Sequence, residues 1–492
     1  MGQYILAIDQ GTTGSRCFIF NSKGKILSSA YQEFPQYFPK PGWVEHDASQ
    51  IWTSVESVVR KAIASSKINP KEIKAIGITN QRETTLLWDR LTHRPVSRAI
   101  VWQDRRTSQV CSKLKKHETM IRKTTGLVMD PYFSATKIAW ILDHTKGLRK
   151  KAQNGDIAFG TMDSWLIYKL TGGQSHVTDM TNASRTLIYD IVLKQWSDPL
   201  LKLFSVPQQI LPRVLPSGSE FGQTIGIAGL PSGIPILAVM GDQQAALYGQ
   251  GCHRAGTIKN TYGTGCFMVL NTGNKLRVSK KGLLTTLAAD INGQPVYALE
   301  GSVFIAGAVI QWLRDQLQVI PDSASSQKMI HGLKDSAGVY FVPAFTGLGA
   351  PYWNADARGI ITGLTRGANV KHIIRAALES IAYQTKDVFN LMQEESGLKI
   401  KSLAVDGGAC RNSFLMQFQA DLLSASIVRP VMVDSTVAGV AYLAGIRAGL
   451  WTKKDLSRLH QVEHVFKPQR SNVEVQKLYG GWQKAVRQAQ AL

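Results

Sequence analysis

Residues 4–20 read YILAIDQGTTGSRCFIF, and the expected architecture of the whole chain can be worked out from this stretch. Tyr4–Ile8 is an apolar run typical of a buried strand. The polar segment Asp9–Ser15 follows, and its two glycines permit a tight turn. Arg16–Phe20 predicts a returning strand, and Lys25–Ala30 predicts a third strand. We therefore expect an antiparallel meander that begins with one glycine-rich turn.

Helical and further strand patterns follow this meander. Asp47 is a suitable N-cap, because its side chain can accept from the first free backbone amides of a helix. An apolar stripe then predicts the helix itself, and its members are Ile51, Trp52, Val55, Val58, Val59, Ala62 and Ile63. Ala75–Thr79 reads as a buried strand, with the polar run 80–83 directly behind it. Strands that alternate with helices indicate an α/β architecture.

The opening pattern returns in the second half of the chain. Thr257–Thr261 and Cys266–Leu270 read as strands, and the turn between them is Tyr-Gly-Thr-Gly at 262–265. Leu403–Gly408 repeats the pattern of the strand at Ala75–Thr79. Internal similarity at half the chain length predicts two related domains that face each other across a cleft.

The length of 492 residues also favours more than one domain, since single cores rarely grow beyond about 300 residues. Glycines punctuate the apolar segments around Tyr248–Gly256, as is common in linkers. We therefore expect an amino-terminal domain over residues 1–248 and a carboxyl-terminal domain over residues 249–492.

The formal charge of +22 is the unusual bulk property of the chain. It is compatible with nucleic-acid or membrane binding, but the lysines and arginines are spread along the sequence. A basic surface that attracts anionic substrates explains the charge better than a specific nucleic-acid site. The most apolar stretches, Ile234–Met240 and Val303–Ile310, are much shorter than a bilayer span, so we expect no membrane insertion.

The five cysteines are scattered, odd in number and form no CxxC pair. This usage argues against a disulfide framework or a zinc site and favours a reducing compartment. The first apolar run begins at Tyr4, with no basic segment and signal-like core before it. A cytoplasmic location is the expectation.

Two glycine turns have the composition of phosphate-binding loops, Gly11–Ser15 and Gly263–Gly265. Either turn alone fits an ordinary hairpin better, but together, with one in each half, they predict a pair of phosphate clamps. Asp9 ends the first strand and is a candidate to hold Mg²⁺ through water. The chain contains no GxxxxGK[ST], no GxGxxG after a strand, no HExxH and no GxSxG, so P-loop, Rossmann, zincin and hydrolase sites are not supported.

Arg82 and Glu83 follow directly on a predicted buried strand, which is where α/β folds place ligands. A guanidinium donates and a carboxylate accepts, so the pair suits the hydroxyls of a polyol, although exposed charge pairs in loops are commoner. From the residues alone, three aromatic side chains that could wall such a site fit core packing better, namely Trp102, Tyr132 and Phe267.

A carboxylate that could accept a hydroxyl proton follows the predicted strand Ile236–Met240 after one glycine, and it is Asp242. Asp163, Asp179 and Asp406 are competing candidates, but each fits a cap or a turn better.

With these features together, the chain resembles the FGGY carbohydrate kinases of the actin, Hsp70 and hexokinase superfamily. The stretches that carry the resemblance are 9–13 (DQGTT), 41–47 (PGWVEHD), 77–84 (GITNQRET), 101–103 (VWQ), 130–134 (DPYFS), 241–245 (GDQQA), 260–267 (NTYGTGCF) and 343–353 (PAFTGLGAPYW). The two general signatures of that family also fit, over 132–144 and 359–379. The resemblance covers essentially the whole chain and implies two actin-like (ribonuclease H-like) ATPase domains with an interdomain cleft.

The resemblance also implies roles for individual residues in the ATP-dependent phosphorylation of glycerol. Position by position, the residues implied to contact glycerol are Arg82, Glu83, Trp102, Tyr132, Asp242, Gln243 and Phe267. Those implied to contact the nucleotide are Thr12, Thr13, Gly14, Arg16, Thr264, Gly307, Gln311, Gly408 and Asn412. Asp242 would be the general base, Asp9 the metal-side carboxylate, and ATP with Mg²⁺ the cosubstrate. Relatives form dimers and tetramers, so a homo-oligomer is expected.

The chain departs from the family at Gly14, where many relatives have serine, so a changed nucleotide affinity is expected rather than lost activity. Some members of the family bind a sugar bisphosphate at a loop that corresponds to Ile227–Ile234. Here that loop carries no basic residue, so we expect no such control through it. Three alternatives stay open at this point. They are a related kinase for a pentulose, gluconate or erythritol, an actin-like filament or chaperone ATPase, and a nucleic-acid-binding protein.

Overall fold

The structure is a computed structural model that describes residues 2–354 and 356–491. Its strands, in chain order, are β1 (Tyr4–Gln10), β2 (Gly14–Asn21), β3 (Ile26–Glu33), β4 (Glu45–His46), β5 (Ile73–Asn80), β6 (Leu86–Asp89), β7 (Ala99–Ile100), β8 (Ile157–Gly160), β9 (Val177–Asp179), β10 (Tyr189–Asp190), β11 (Gln195–Trp196), β12 (Arg213–Leu215), β13 (Gln223–Ile225), β14 (Ser232–Gly241), β15 (Ile258–Tyr262), β16 (Cys266–Gly273), β17 (Leu284–Ala289), β18 (Pro295–Val303), β19 (Tyr340–Val342), β20 (Ile360–Thr362), β21 (Ser402–Asp406), β22 (Ser426–Pro430) and β23 (Val462–Phe466).

The α-helices are α1 (Ala48–Ser66), α2 (Ser108–Leu114), α3 (Glu118–Thr125), α4 (Ser134–His144), α5 (Leu148–Gln153), α6 (Met162–Leu170), α7 (Met180–Ala183), α8 (Asp198–Phe204), α9 (Asp242–Gly249), α10 (Gly307–Asp315), α11 (Ser325–Met329), α12 (Val370–Ser396), α13 (Ser413–Leu423), α14 (Ser435–Arg447), α15 (Leu456–Leu459) and α16 (Asn472–Gln490). Short 3₁₀ segments lie at Pro70–Glu72, Lys115–His117, Gln208–Ile210 and Gly408–Arg411. None of the described helices is long and apolar enough to cross a bilayer.

The first large sheet has the strand order β13-β14-β5-β1-β2-β3. Its antiparallel meander β1-β2-β3 confirms the prediction for the amino terminus, and β5 and β14 join it in parallel. The turn is shorter than predicted, because the ladder between β1 and β2 continues to the pair Gln10 and Ser15. Asp9 therefore lies in a strand, opposite Arg16, and not in the turn.

The second large sheet, β17-β18-β16-β15-β21-β22-β23, repeats this arrangement. Here β15, β16 and β18 lie side by side and antiparallel, β17 is added at the edge beside β18, and β21 and β22 are the parallel strands. Each sheet ends on the parallel side with an antiparallel strand, β13 in the first and β23 in the second. The repeated topology confirms the predicted fold class of two related α/β units.

Helices cover both faces of the first sheet because side chains alternate along its strands. Leu6 and Ile8 of β1 pack with α1, whose N-cap is Asp47 as predicted. Ile5 and Ala7 point to the opposite face and pack with α14. Because α14 comes from the carboxyl-terminal half, the core of the first sheet includes residues far beyond position 248. The exact division at 248 and 249 stays a prediction.

Helices α9 and α14 cross at very short distance between the two sheets. A Cβ atom added at Gly439 would lie 2.0 Å from the carbonyl oxygen of Ala245, and one at Gly249 would lie 2.2 Å from that of Ser435. Leu247 of α9 packs towards the second sheet, whereas Ala245 and Tyr248 pack towards the first. This crossing fixes α9, and with it Asp242 at the helix start, between the two units.

Candidate active site

The predicted polyol residues meet at the ends of two parallel strands. Strands β5 and β14 are neighbours, with Thr79 opposite Met240 and Asn80 opposite Gly241. The chain leaves these strands through the run that contains Arg82 and Glu83, and through Asp242. Carboxyl ends of adjacent parallel strands lie at one edge of a sheet, which is where open α/β folds bind ligands.

Arg82 and Glu83 are buried, at 3% and 1% exposure, so the pair is not an exposed loop pair. The Nε atom of Arg82 lies 3.0 Å from a carboxylate oxygen of Asp242. Its terminal nitrogens donate to both carboxylate oxygens of Glu300, at 2.6 and 3.1 Å, and one of them also donates to Gln244 at 3.2 Å. The sequence predicted that the guanidinium of Arg82 would donate to a polyol, but both of its terminal nitrogens donate to Glu300.

Sequence reasoning missed two members of this cluster, Arg185 and Glu300. Arg185 donates to Glu83 at 2.5 Å and to Glu300 at 3.0 Å, and its remaining terminal nitrogen, Nη1, is buried without a hydrogen-bond partner. Its guanidinium carbon lies 5.7 Å from the centre of the Tyr132 ring. Glu300 is a charge inside the otherwise apolar part of β18, and that pattern was the one signal that could have indicated a site residue.

The buried charges balance one another. Burial alone raises the pKa of the Glu300 carboxyl, but the charges of Arg185 and Arg82 outweigh it and hold this pKa at about 2. Burial also raises the pKa of Glu83, and the neighbouring arginines offset only part of that rise. Burial lowers the pKa of Arg82, but Glu300 and Glu83 more than compensate and keep the guanidinium charged.

Two aromatic side chains form a wall beside this cluster. The rings of Trp102 and Tyr132 meet edge to face, with centroids 5.6 Å apart, and both side chains are only half-buried. Tyr132 packs against a neighbouring hydrophobic cluster, but neither side chain is fully enclosed, so part of each remains accessible to a ligand. The indole nitrogen of Trp102 donates to the hydroxyl of Thr12 at 3.1 Å, which links this wall to the first glycine turn. Phe267 is also half-buried and lies on β16, opposite Thr261.

Asp242 lies at the start of α9 with its side chain 31% exposed, so ligands can reach it. The next residue, Gln243, is held by a buried lysine that sequence reasoning also missed. Lys259 of β15 donates to the side-chain oxygen of Gln243 at 2.5 Å and to Thr261 at 2.7 Å. Burial lowers the pKa of Lys259, and the charges of Asp406 and Asp242 oppose that shift. The backbone amide of Gln243 donates to Asp242 at 2.6 Å, and the side-chain nitrogen of Gln243 has no hydrogen-bond acceptor among the described residues.

The first glycine turn has backbone donors to offer. The amide of Gly11 donates to the carbonyl of Gly14 at 2.9 Å, and no acceptor in the described part of the chain takes the amides of Thr12 and Thr13. Gly14 begins β2, and a Cβ atom there would meet the Tyr31 ring at 2.5 Å and the carbonyl oxygen of Gln32 at 2.8 Å. A serine at position 14 would require the Tyr31 ring and the backbone at Gln32 to shift.

Two charged residues flank this turn. Arg16 is exposed and pairs with Asp434 at 3.1 Å. Asp9 accepts one hydrogen bond, from Thr436 at 3.3 Å. Burial raises the pKa of Asp9 to about 6; Asp242 and Asp434 add to the rise, and Arg16 opposes it. A carboxylate with so few protein donors suits a bound cation.

The second glycine turn closes against the start of α10. The amides of Ala306 and Ala308 donate to the carbonyl of Thr264 at 2.8 and 3.0 Å, and that of Gly307 donates to Gly263 at 3.0 Å. The amide of Thr264 has no acceptor among the described residues. A Cβ atom on Gly307 would lie 2.5 Å from the carbonyl oxygen of Gly263, so this contact requires glycine. Gln311 is exposed one turn along α10.

The two glycines after β21, Gly407 and Gly408, differ in whether the fold requires them. Gly407 has φ +83°, and a Cβ atom there would lie 2.4 Å from the carbonyl oxygen of Tyr262, so the fold requires this glycine. Gly408 has nothing within 4 Å of its Cβ position, so packing does not require it. Asn412 caps α13 by accepting from the amide of Leu415 at 2.9 Å.

The three other aspartates considered as a general base are Asp163, Asp179 and Asp406. Asp179 caps α7 by accepting from the amides of Thr181 and Asn182. Asp163 is buried and accepts from the hydroxyls of Thr161 and Thr178 at 2.5 and 2.6 Å. Asp406 ends β21 beside the second turn, and one of its carboxylate oxygens is buried without a donor.

Comparisons with known proteins agree with this architecture. The profile "FGGY family of carbohydrate kinases, N-terminal domain" matches residues 4–249, and the profile for the C-terminal domain of that family matches residues 258–448. A glycerol kinase of Geobacillus sp. is 51% identical over the full length of both chains. Glycerol kinase 2 of Thermotoga maritima is 52% identical over 98% of each chain. The crystal structure of Plasmodium falciparum glycerol kinase with ADP superposes with a TM-score of 0.94 at 35% identity, covering 99% of this chain and 98% of the other.

Proposed function

The chain belongs to the FGGY family of carbohydrate kinases, and on that basis we propose that it transfers the terminal phosphoryl group of ATP to glycerol, yielding sn-glycerol 3-phosphate and ADP. Full-length relatives at about half identity are glycerol kinases, which supports glycerol over the larger substrates of other members. The enzyme would then serve glycerol catabolism. A filament or chaperone ATPase does not need a buried site that could bind the hydroxyl groups of a polyol.

The observation that carries this proposal is the convergence of Arg82, Glu83 and Asp242 beside the Trp102–Tyr132 wall. A polyol needs acceptors and donors for its hydroxyls and an apolar surface for its C–H groups. Glu83 gives one carboxylate oxygen to Arg185, and its other oxygen can accept from a hydroxyl. Tyr132, Gln243 and Phe267 would complete the contacts to glycerol.

Asp242 is the base in this proposal. Its carboxylate is partly exposed, is held by Arg82 on one side, and lies at the edge between the two units. As the terminal hydroxyl of glycerol attacks the γ-phosphorus, an oxygen of Asp242 accepts the hydroxyl proton. The bond between the γ-phosphorus and the bridging oxygen of ADP breaks in the same transfer.

The two glycine turns would hold the phosphates from opposite sides. Free amides at Thr12, Thr13 and Thr264 point to this role, because phosphate binding uses unpaired backbone donors. Gly14 and Arg16 extend the first turn, and Gly307 and Gln311 extend the second. The open space at Gly408 leaves room for the adenosine part, with Asn412 beside it.

Asp9 would hold Mg²⁺, the usual partner of ATP. No group of three or more His, Cys, Asp or Glu side chains among the described residues could form a dedicated cage. Mg²⁺ needs no such cage, since it keeps several waters and binds through one or two carboxylates and the phosphates. When bound, it neutralises charge on the β- and γ-phosphates. A cation would also remove the cost of the ionised, desolvated Asp9.

We further propose a cytoplasmic location, which the five free, buried cysteines support because such thiols persist in a reducing compartment. Homo-oligomer formation and the absence of sugar bisphosphate control at Ile227–Ile234 stay predictions.

A coupled assay of ADP release with purified protein tests the function. We expect turnover with glycerol and Mg-ATP to exceed that with erythritol, xylulose or gluconate by at least roughly 100-fold, because a site for three carbons would have to accommodate the extra carbons and hydroxyls of these longer chains among buried side chains. Equal or faster turnover with a larger polyol would contradict the choice of glycerol. ATP hydrolysis that no polyol stimulates would contradict the kinase proposal altogether.

A further inference from the structure

The buried side chains of Arg82, Glu83 and Arg185, together with Asp242, form a group that we call the polyol cluster. Among the described residues, Glu300 is the acidic residue of the second sheet that pairs with its arginines. It lies on β18, between Leu299 and Gly301, and is 1% exposed. Its partners, Arg82 and Arg185, belong to the first half of the chain, 218 and 115 residues away. A buried carboxylate is costly unless it is paired, so its position is well determined by these two arginines.

The contacts give Glu300 a particular effect on Arg82. One carboxylate oxygen accepts from Arg82 at 2.6 Å, and the other accepts from Arg82 at 3.1 Å and from Arg185 at 3.0 Å. Both terminal nitrogens of Arg82 are therefore directed at Glu300. Only the Nε atom is left for Asp242, at 3.0 Å, while Glu83 lies farther away at 4.0 Å.

The choice of which Arg82 nitrogens contact Asp242 affects how well Asp242 can act as a general base. A bidentate arginine stabilises the ionised form of a carboxylate more strongly than a single N–H does, and so makes the carboxylate a poorer proton acceptor. Asp242 has Arg82 on one side, and it also interacts with the charges of Asp9 on β1 and Lys259 on β15. Glu300 faces Arg82, Arg185, Glu83, Lys259 and Tyr132.

We propose that Glu300 is a positioning residue for phosphoryl transfer, which keeps the two terminal nitrogens of Arg82 away from Asp242 and so leaves that carboxylate free to accept the hydroxyl proton. The inference deepens the proposed function and rests on it. It also means that the polyol site is complete only when the sheet of the second half lies against the first half. Glu300 would then be one of the links between glycerol binding and the closeness of the two units.

A purely structural role is the alternative, in which Glu300 only neutralises two buried arginines. Glu379 provides a matched control, because it is a second buried glutamate, at 2% exposure, in the same half of the chain. It pairs with Arg375 at 2.8 Å, and in the described part of the chain it has no hydrogen bond or ion pair with a residue of the polyol cluster. Glu300→Gln and Glu379→Gln each remove one buried charge from an arginine.

The test is the pH dependence of kcat with glycerol and saturating Mg-ATP for the wild type and both variants. For Glu300→Gln we expect kcat to fall roughly 10- to 100-fold, a part of what a general base contributes. We also expect the acid limb of its profile to move down by about one pH unit, because the released fork of Arg82 turns to Asp242. The KM for ATP should change less than about twofold, since the altered contacts lie in the polyol cluster.

Glu379→Gln should keep the wild-type profile, even if it lowers the melting temperature. A Glu300→Gln profile that superimposes on the wild type would overturn the proposal, as would a loss of kcat that merely follows the folded fraction. If Glu300→Gln does not fold, the double variant Glu300→Gln/Arg185→Gln removes one charge of each sign, and the same shift of the acid limb is required of it. A wild type that is inactive on glycerol would contradict the proposed function, whereas an active wild type with an unshifted variant contradicts only the role of Glu300.

Discussion

The two glycine turns share a backbone design but are surrounded by different chemistry. In each, the first glycine amide bonds back to the carbonyl of the last glycine at 2.9 Å, and the flanking strands pair in the same way. The first turn has the carboxylate of Asp9 on the strand before it, whereas the second has the buried ring of Tyr262. The first is tied to an aromatic wall through Trp102, and the second to the start of α10.

This difference shows how a duplicated fold divides its work. The first unit supplies charges and side chains that act on a hydroxyl group, as expected for the proposed polyol site. The second unit mostly offers backbone amides, close-packed glycines and open space, which suit a nucleotide. Lys259 and Glu300 are exceptions, because they reach from the second sheet into the site of the first, and the proposed glycerol contact Phe267 also lies on the second sheet.

The largest expected effect comes from removing the proposed base in the first unit. Asp242→Asn should lower kcat by roughly 10²–10⁴ and leave the binding of both substrates intact, because the amide keeps the shape but accepts no proton. Steady-state kinetics with calorimetric titration of glycerol and nucleotide would check this. Turnover near that of the wild type would remove Asp242 from the mechanism.

Asp9→Asn should raise the stability of the ligand-free protein and at the same time weaken its use of Mg²⁺. Burial raises the pKa of Asp9 to about 6 from 3.8, so ionised Asp9 destabilises the ligand-free fold above pH 6, and this cost disappears as the pH falls towards 4. The variant should therefore be more stable than the wild type at pH 7.5, by roughly 1–3 kcal/mol, and the gain should shrink at pH 5.

Denaturant unfolding without metal at the two pH values measures that gain, and the Mg²⁺ concentration for half-maximal activity should rise in the same variant. A stability gain that does not depend on pH would contradict the assigned cause.

Neighbouring glycines in the second unit allow a finer test. Gly407→Ala should cost roughly 1–3 kcal/mol of folding stability, because alanine resists φ +83° and its Cβ atom meets Tyr262. Gly408→Ala meets no protein atom, so it should leave the melting temperature within about 1 °C and raise the KM for ATP several-fold. Thermal unfolding and ATP titration of both variants decide the matter. An unchanged KM in Gly408→Ala would place the nucleotide elsewhere.

Much of the site was predictable because its signals are local. A strand that ends in polar residues is visible in the run from Ala75 to Glu83 and again before Asp242, and glycine turns are visible from their composition. The helix cap at Asp47 and the repeated strand-turn-strand pattern in the second half were correct for the same reason. The extent of β1 was wrong by two residues, since the ladder to β2 and not residue polarity determines where a strand ends.

The sequence by itself thus determined the two α/β units, their turns and the strand ends that carry Arg82, Glu83 and Asp242. Only the tertiary structure decided that the fork of Arg82 binds Glu300, that Lys259 orients Gln243, and that α14 covers the first sheet. The physical reason is that hydrogen bonding and hydrophobic periodicity act over a few residues and can be read along the chain. A buried charge, in contrast, must be paired with whatever opposite charge the fold brings within reach, and those partners can lie hundreds of residues apart.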